Sequence, residues 1–155
     1  MQIKRLSVNH FGKLDNLTVT LDDGINVISG KNESGKSTLH SFIKAMLFGL
    51  ERGHGRSAKE DDYTRFIPWN GGTYGGAIEI EKDEKDYCIS RNFSRDAKEF
   101  IVRNETDSKN LPSSADYLNE LICGLTPALY RNTISVAQLL AKTNSELSNE
   151  LKNHI

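Results

Sequence analysis

Residues 30–37 read Gly-Lys-Asn-Glu-Ser-Gly-Lys-Ser: a Gly, four residues, then Gly-Lys-Ser. This phosphate-binding loop constrains the fold more than any other stretch of the chain. A bound triphosphate needs a concave array of backbone N–H groups, which glycine-bearing turns supply without steric strain. It also needs a helix whose first amides are unpaired and face the anion. The residues on either side agree. Ile25-Asn26-Val27-Ile28 reads as a short buried strand entering the loop. Leu39, Phe42, Ile43, Met46, Leu47 and Leu50 recur at helical spacing after it, predicting a helix that starts near Lys36. By the mechanics of the motif, Lys36 reaches the β- and γ-phosphates and the Ser37 hydroxyl ligates Mg²⁺. Gly30 and the amides of Asn32, Glu33, Ser34, Gly35, Lys36, Ser37 and Thr38 form the cradle.

The 155 residues suit one domain with a real core, and the net charge of -1 comes from intermixed acids and bases. No basic arm announces a nucleic acid. No apolar run approaches the roughly 20 residues of a membrane span, so a soluble cytoplasmic chain with no membrane partner is expected. Cys88 and Cys123 have no second ligand at metal spacing and are expected to be reduced, at or near the core. His10, His40, His54 and His154 form no metal-type pair, and neither a Gly-x-Ser-x-Gly elbow nor a His-Glu-x-x-His helix occurs.

In order along the chain, residues 2–9 predict a first strand in which Ile3 is out of phase with Leu6 and Val8. His10-Phe11-Gly12-Lys13 predicts a turn, and the alternation of Leu17, Val19 and Leu21 a second strand, together a hairpin. Residues 51–62 are polar and predict an exposed loop. Residues 63–76 predict an irregular loop folded onto a sheet by Phe66, Trp69 and Tyr74 rather than a base-stacking platform for nucleic acid. Residues 77–81, 87–93 and 100–102 predict an antiparallel meander, with polar turns at 82–86 and 104–110. Tyr117, Leu118, Leu121 and Ile122 mark a helix stopped by Gly124. Thr126-Pro127 opens another. Thr143-Asn144-Ser145-Glu146 is a capping box ahead of Leu147, Leu151 and Ile155.

Asn9-His10-Phe11-Gly12-Lys13, the Gly24–Ile28 strand and Gly30–Leu39, in this order, resemble the start of the repair-type ABC ATPases, the SbcC-like and structural-maintenance-of-chromosomes proteins. Ala45–Leu50, Pro68-Trp69-Asn70-Gly71-Gly72 and Tyr74-Gly75-Gly76 are similar to the YhaN-like bacterial branch. The resemblance covers nearly the whole chain. It implies an α/β P-loop fold, the N-terminal lobe of an ABC-type ATPase head over residues 1–142, with the meander packed beside the P-loop core. It implies that residues 143–155 begin a helix leading toward a coiled coil. ATP and Mg²⁺ are the implied cofactors. Gln138 resembles the Q-loop residue that helps hold Mg²⁺ and senses the γ-phosphate, and Arg52 and Arg56 are candidates for a basic residue approaching the phosphates. The implied partners are the C-terminal lobe of the same head, a second head, DNA and a nuclease subunit.

Four apolar residues followed by Asp-Glu, needed to polarise the attacking water, do not occur in this chain, nor does a Ser-Gly-Gly signature loop. ATP hydrolysis is therefore expected of a longer parent and not of these residues alone. Two other readings stand beside this one. A self-sufficient small P-loop kinase or GTPase is opposed by the two strands before the loop and the missing Asn-Lys-x-Asp. A non-catalytic nucleotide-binding module is the other.

Overall fold

A computed structural model describes residues 1–51 and 61–135. The chain divides into two units, Met1–Leu118 and a second from Asn119 onward. The first unit is built on one antiparallel sheet of six strands, β1 Gln2–Phe11, β2 Leu14–Thr20, β3 Gly75–Lys82, β4 Lys85–Asn92, β5 Glu99–Asn104 and β6 Lys109–Leu111. Their order is β2-β1-β3-β4-β5-β6, so β1 joins the N-terminal hairpin to the meander. The helix α1, Lys36–Phe48, packs against β1, β3 and β4.

β1 explains the broken alternation. Ile3 pairs with Ile80 but Leu6 pairs with Ile78, so a bulge at Lys4 inserts one residue and shifts the phase. A second irregularity between Val8 and His10 lets Val8 and Phe11, three residues apart, both be buried. The expected turn at 10–13 is thus shorter than its pattern: His10 and Phe11 remain in the strand and only Gly12-Lys13 turns. Phe11, fully buried, becomes the hub of an aromatic cluster. It stacks on Phe66 at 4.7 Å and meets Phe42 of α1 edge-on at 5.4 Å, with Tyr74 at 5.8 Å and Phe93 at 6.1 Å. Ring pairs at these separations contribute beyond their buried area. They also fix α1 against the sheet.

The β3–β4 turn places Asp83 and Glu84 at positive φ, the backbone of a tight hairpin whose twist matches its strands. β6 was not expected: Lys109 and Asn110 look like turn residues, yet they pair with Asn104 and Arg103. The loop expected over 51–62 likewise ends early. Asp61 caps a short helix α2, Asp62–Arg65, its carboxylate accepting from the Thr64 amide at 3.2 Å. In α3, Ala115–Leu121, the Ser114 hydroxyl accepts from the Tyr117 amide, and Gly124, at φ +70°, returns its amide to the Asn119 carbonyl. Thr126 caps α4, Pro127–Leu129, as its sequence predicts, and the chain continues as a wider π-helical turn through Ile134. The 142/143 boundary and the helix expected from Thr143 lie outside the described residues. Cys123 departs from expectation: it is exposed, whereas Cys88 is half-buried.

Ile25–Ile28 is the largest departure. The segment forms no strand, and every residue from Asp22 to Ser34 is exposed, with Ile25 96% and Val27 84% accessible. The buried strand expected there lacks neighbours on both sides, because the six described strands pair only with one another. Asn26 braces the turn that launches the segment, donating to the Asp22 carbonyl at 2.8 Å and accepting from the Asp22 amide at 2.9 Å.

Candidate nucleotide-binding site

The loop before α1 curls tightly. Gly35 stands at φ +100°, and a Cβ there would meet Leu14 Cδ2 at 2.7 Å, so the tip of the β1–β2 hairpin closes on the loop. A Cβ at Gly30 would meet Ser34 Oγ at 2.6 Å, which fixes how closely the loop folds back on itself. Glu33 also sits in the left-handed region, at φ +64°, unusual for a residue with a side chain and a mark of a constrained loop. Across this curl lies the Lys36 ammonium, donating to the carbonyls of Gly30 at 2.7 Å and Lys31 at 2.8 Å and to Ser34 Oγ at 3.5 Å. Lys36 is exposed. The first turn of α1 contains no acidic residue, and Ser37 is exposed at that end, so the positive pole of the helix faces solvent. A glycine-bearing curl, an uncompensated helix start and an ammonium group at one point make a geometry that suits an anion.

The opposite end of α1 is held from outside. Its last turn contains no basic residue. Arg91 of β4 reaches it instead, with Nε donating to the Met46 carbonyl at 2.7 Å and a terminal nitrogen to the Leu47 carbonyl at 3.4 Å. The guanidinium lies over the Phe100 ring at 3.9 Å. Burial pulls its pKa down to about 10, so it remains charged at neutral pH and complements the negative end of the helix. Sequence reasoning did not find this role for Arg91, although a signal existed: it alternates with Ile89 and Phe93, both buried, and an arginine on a core-facing phase needs a partner.

Gly12 ties a third element to the loop. Its amide donates to the Phe66 carbonyl at 2.8 Å, its carbonyl accepts from the Trp69 amide at 2.9 Å, and a Cβ there would meet Thr38 at 3.3 Å. Of the three aromatics expected to fold this segment onto the sheet, Phe66 and Tyr74 do so. Trp69 does not, being 73% exposed, because the backbone bond to Gly12 already anchors the loop and leaves the ring outside.

The expected site residues thus divide cleanly. Gly30, Asn32, Glu33, Ser34, Gly35, Lys36, Ser37 and Thr38 come together around one loop and helix start. Arg52, Arg56 and Gln138 lie outside the described residues.

The family model described as an AAA domain matches residues 5–154. The chain belongs to this AAA-domain family of P-loop NTPases. Among its relatives is YhaN of Bacillus subtilis (strain 168), 30% identical over 132 residues, which are 84% of this chain and 12% of the relative. The DNA double-strand break repair Rad50 ATPase of Pyrococcus abyssi is 36% identical over 97 residues, 61% of this chain and 11% of the relative. The DNA replication and repair protein RecF of Histophilus somni (strain 2336) is 28% identical over 118 residues, 76% and 31% respectively. The resemblance to repair-type ABC ATPases with a YhaN-like character therefore holds, and the AAA domain here aligns with under a third of each of these relatives. No described helix is long and apolar enough to cross a membrane.

Proposed function

We propose that this AAA domain is the ATP-binding half of a coiled-coil ATPase associated with DNA repair or chromosomes, in which ATP clamps two heads together and drives engagement of DNA or a nuclease partner. The observation that carries the proposal is the Lys36 ammonium poised over the Gly30 and Lys31 carbonyls at the uncompensated start of α1. In this reading Lys36 transfers to the β- and γ-phosphates of ATP, Ser37 holds Mg²⁺, and the amides from Asn32 to Thr38 line the phosphates. Gln138 completes the metal shell and senses the γ-phosphate, and Arg52 or Arg56 approaches the nucleotide.

Residues 1–142 act as the N-terminal lobe of the head and 143–155 as the root of the coiled coil. The exposed Ile25, Val27 and Ile28 support a complementary lobe, since an apolar segment outside the sheet of the described strands is what a strand from another part of the head would cover. That lobe brings the carboxylate that orients water, which the present residues lack. The test is steady-state ATP turnover. The chain alone is expected to turn over no faster than its Lys36→Ala variant, and addition of a complementary lobe to restore turnover. Robust hydrolysis by the chain by itself would overturn the division of labour, with Glu33, Asp61 and Asp62 as the first carboxylates to replace.

A further inference from the structure

An exposed tryptophan on a tightly held backbone is an uncommon combination. Trp69 has 73% of its surface accessible, yet its amide donates to the Gly12 carbonyl at 2.9 Å and the next side chain, Asn70, donates to Asp15 at 3.3 Å. The ring is uncovered while its loop is fixed at two points. Lys13 spans the distance from this ring to the phosphate loop. Its Cγ and Cδ lie 3.7 Å and 3.6 Å from where a Cβ on Gly35 would stand, and its ammonium lies over the indole, 5.7 Å from the ring centre. One lysine side chain therefore separates the P-loop from an open aromatic face.

We propose that the indole of Trp69, with the Lys13 ammonium over one face, offers its other face as the platform on which the base of the bound nucleotide stacks. The inference rests on the reading of residues 30–38 as the triphosphate cradle and adds the opposite end of the ligand. Stacking of a base on an aromatic ring is worth enough to matter to affinity and tolerates any base, since each has a π-face. The Lys13 side chain runs from the phosphate loop to the ring, which puts a cation between the two ends of the ligand. Stacking by itself accepts purine nucleotides without discriminating adenine from guanine.

Trp69 is the single tryptophan of the chain, which makes the test direct. With Mg²⁺ present, ATP and GTP are each titrated against intrinsic fluorescence, and inorganic tripolyphosphate serves as a ligand with phosphates and no base. Both nucleotides should change the emission and tripolyphosphate should leave it unaltered. By calorimetry, Trp69→Ala should weaken ATP on the order of ten-fold, leave tripolyphosphate unchanged, and Trp69→Phe should recover most of the loss. Equal ATP affinity in wild type and Trp69→Ala, with tripolyphosphate still binding, would overturn the platform while leaving the P-loop reading intact. Failure of both ATP and tripolyphosphate to bind wild type would overturn the P-loop reading and the platform with it. A loss of tripolyphosphate affinity in Trp69→Ala would assign the residue a structural role, and a fluorescence response to a short single-stranded oligonucleotide but not to ATP would assign the ring to nucleic acid. Either result overturns the proposal.

Discussion

Replacing Arg91 by Met asks whether the end of α1 remote from the phosphate loop is held electrostatically. Methionine keeps the unbranched stem and the apolar contact with Phe100 but removes the guanidinium. Two carbonyls at the helix C-terminus, those of Met46 and Leu47, lose a charged donor. A hydrogen bond to a charged group contributes about 1.5–3 kcal/mol, and a cation at a partly buried helix C-terminus up to ~2 kcal/mol. These overlap and do not add. Against them stands the desolvation cost of the half-buried guanidinium, the same burial that lowers its pKa. The net expectation is a loss of about 2 kcal/mol, which for a unit of this size lowers Tm by roughly 6–12 °C. Thermal unfolding followed by far-ultraviolet circular dichroism measures it. Arg91→Lys, which keeps the charge without the planar fork, should fall between. If Arg91→Met melts with wild type, desolvation cancels the clamp and the helix is held by its apolar face alone.

Three other outcomes follow from the same structure. Ile25→Thr with Val27→Thr should change the stability of the chain by no more than about 0.5 kcal/mol, because both side chains are exposed, yet should abolish co-purification with a complementary lobe. A measurable loss of stability would mean that the segment already packs within this chain. The lysines and arginines of residues 51–65 and 91–103 are the expected contacts for DNA, but Arg91 is committed to α1, Arg103 pairs with Glu105 at 3.7 Å and Lys98 lies over the Tyr63 ring at 5.4 Å. Duplex DNA should therefore bind the chain weakly, with Kd on the order of 10⁻⁴ to 10⁻⁶ M, and still more weakly as salt rises; fluorescence anisotropy showing tight, salt-resistant binding would contradict this. Lowering the pH should cost the Lys85–Asp107 contact, whose carboxylate is held below its ordinary range by the Lys85 hydrogen bond. With the folded pKa below the unfolded one, that stabilisation is present above the unfolded value and disappears as pH falls through the folded one. It is exposed, so a Lys85→Met variant should show only a slightly shallower acid transition.

How much the sequence disclosed depends on whether a residue's environment is local. The P-loop, α1 and the caps at Thr126 and Gly124 are set by neighbours within a few residues, and each is where the pattern puts it. The hairpin and the meander were legible for the same reason, as period-two alternation closed by short turns. Phe11 was misread as a turn residue because two irregularities in β1 change its phase, and bulges leave no mark in composition. β6 was missed because Lys109 and Asn110 are polar and only Leu111 is apolar, so the strand follows β5 by register rather than by hydrophobic pattern. Ile25–Ile28 failed most instructively. Its sequence is that of a buried strand, but burial requires neighbours, and the described strands supply none. Arg91 and Trp69 invert the usual placement, a cation inward and an aromatic outward, and both touch the elements that hold the loop.

The account stands or falls on whether residues 30–38 bind a nucleotide through Lys36. Isothermal titration of the chain with a non-hydrolysable ATP analogue, in the presence and absence of Mg²⁺, measures this directly. One site per chain, tighter with Mg²⁺ and absent in Lys36→Ala, is predicted, together with a Tm that rises with ligand concentration. No heat of binding at millimolar nucleotide, or equal binding by Lys36→Ala, would contradict the central claim.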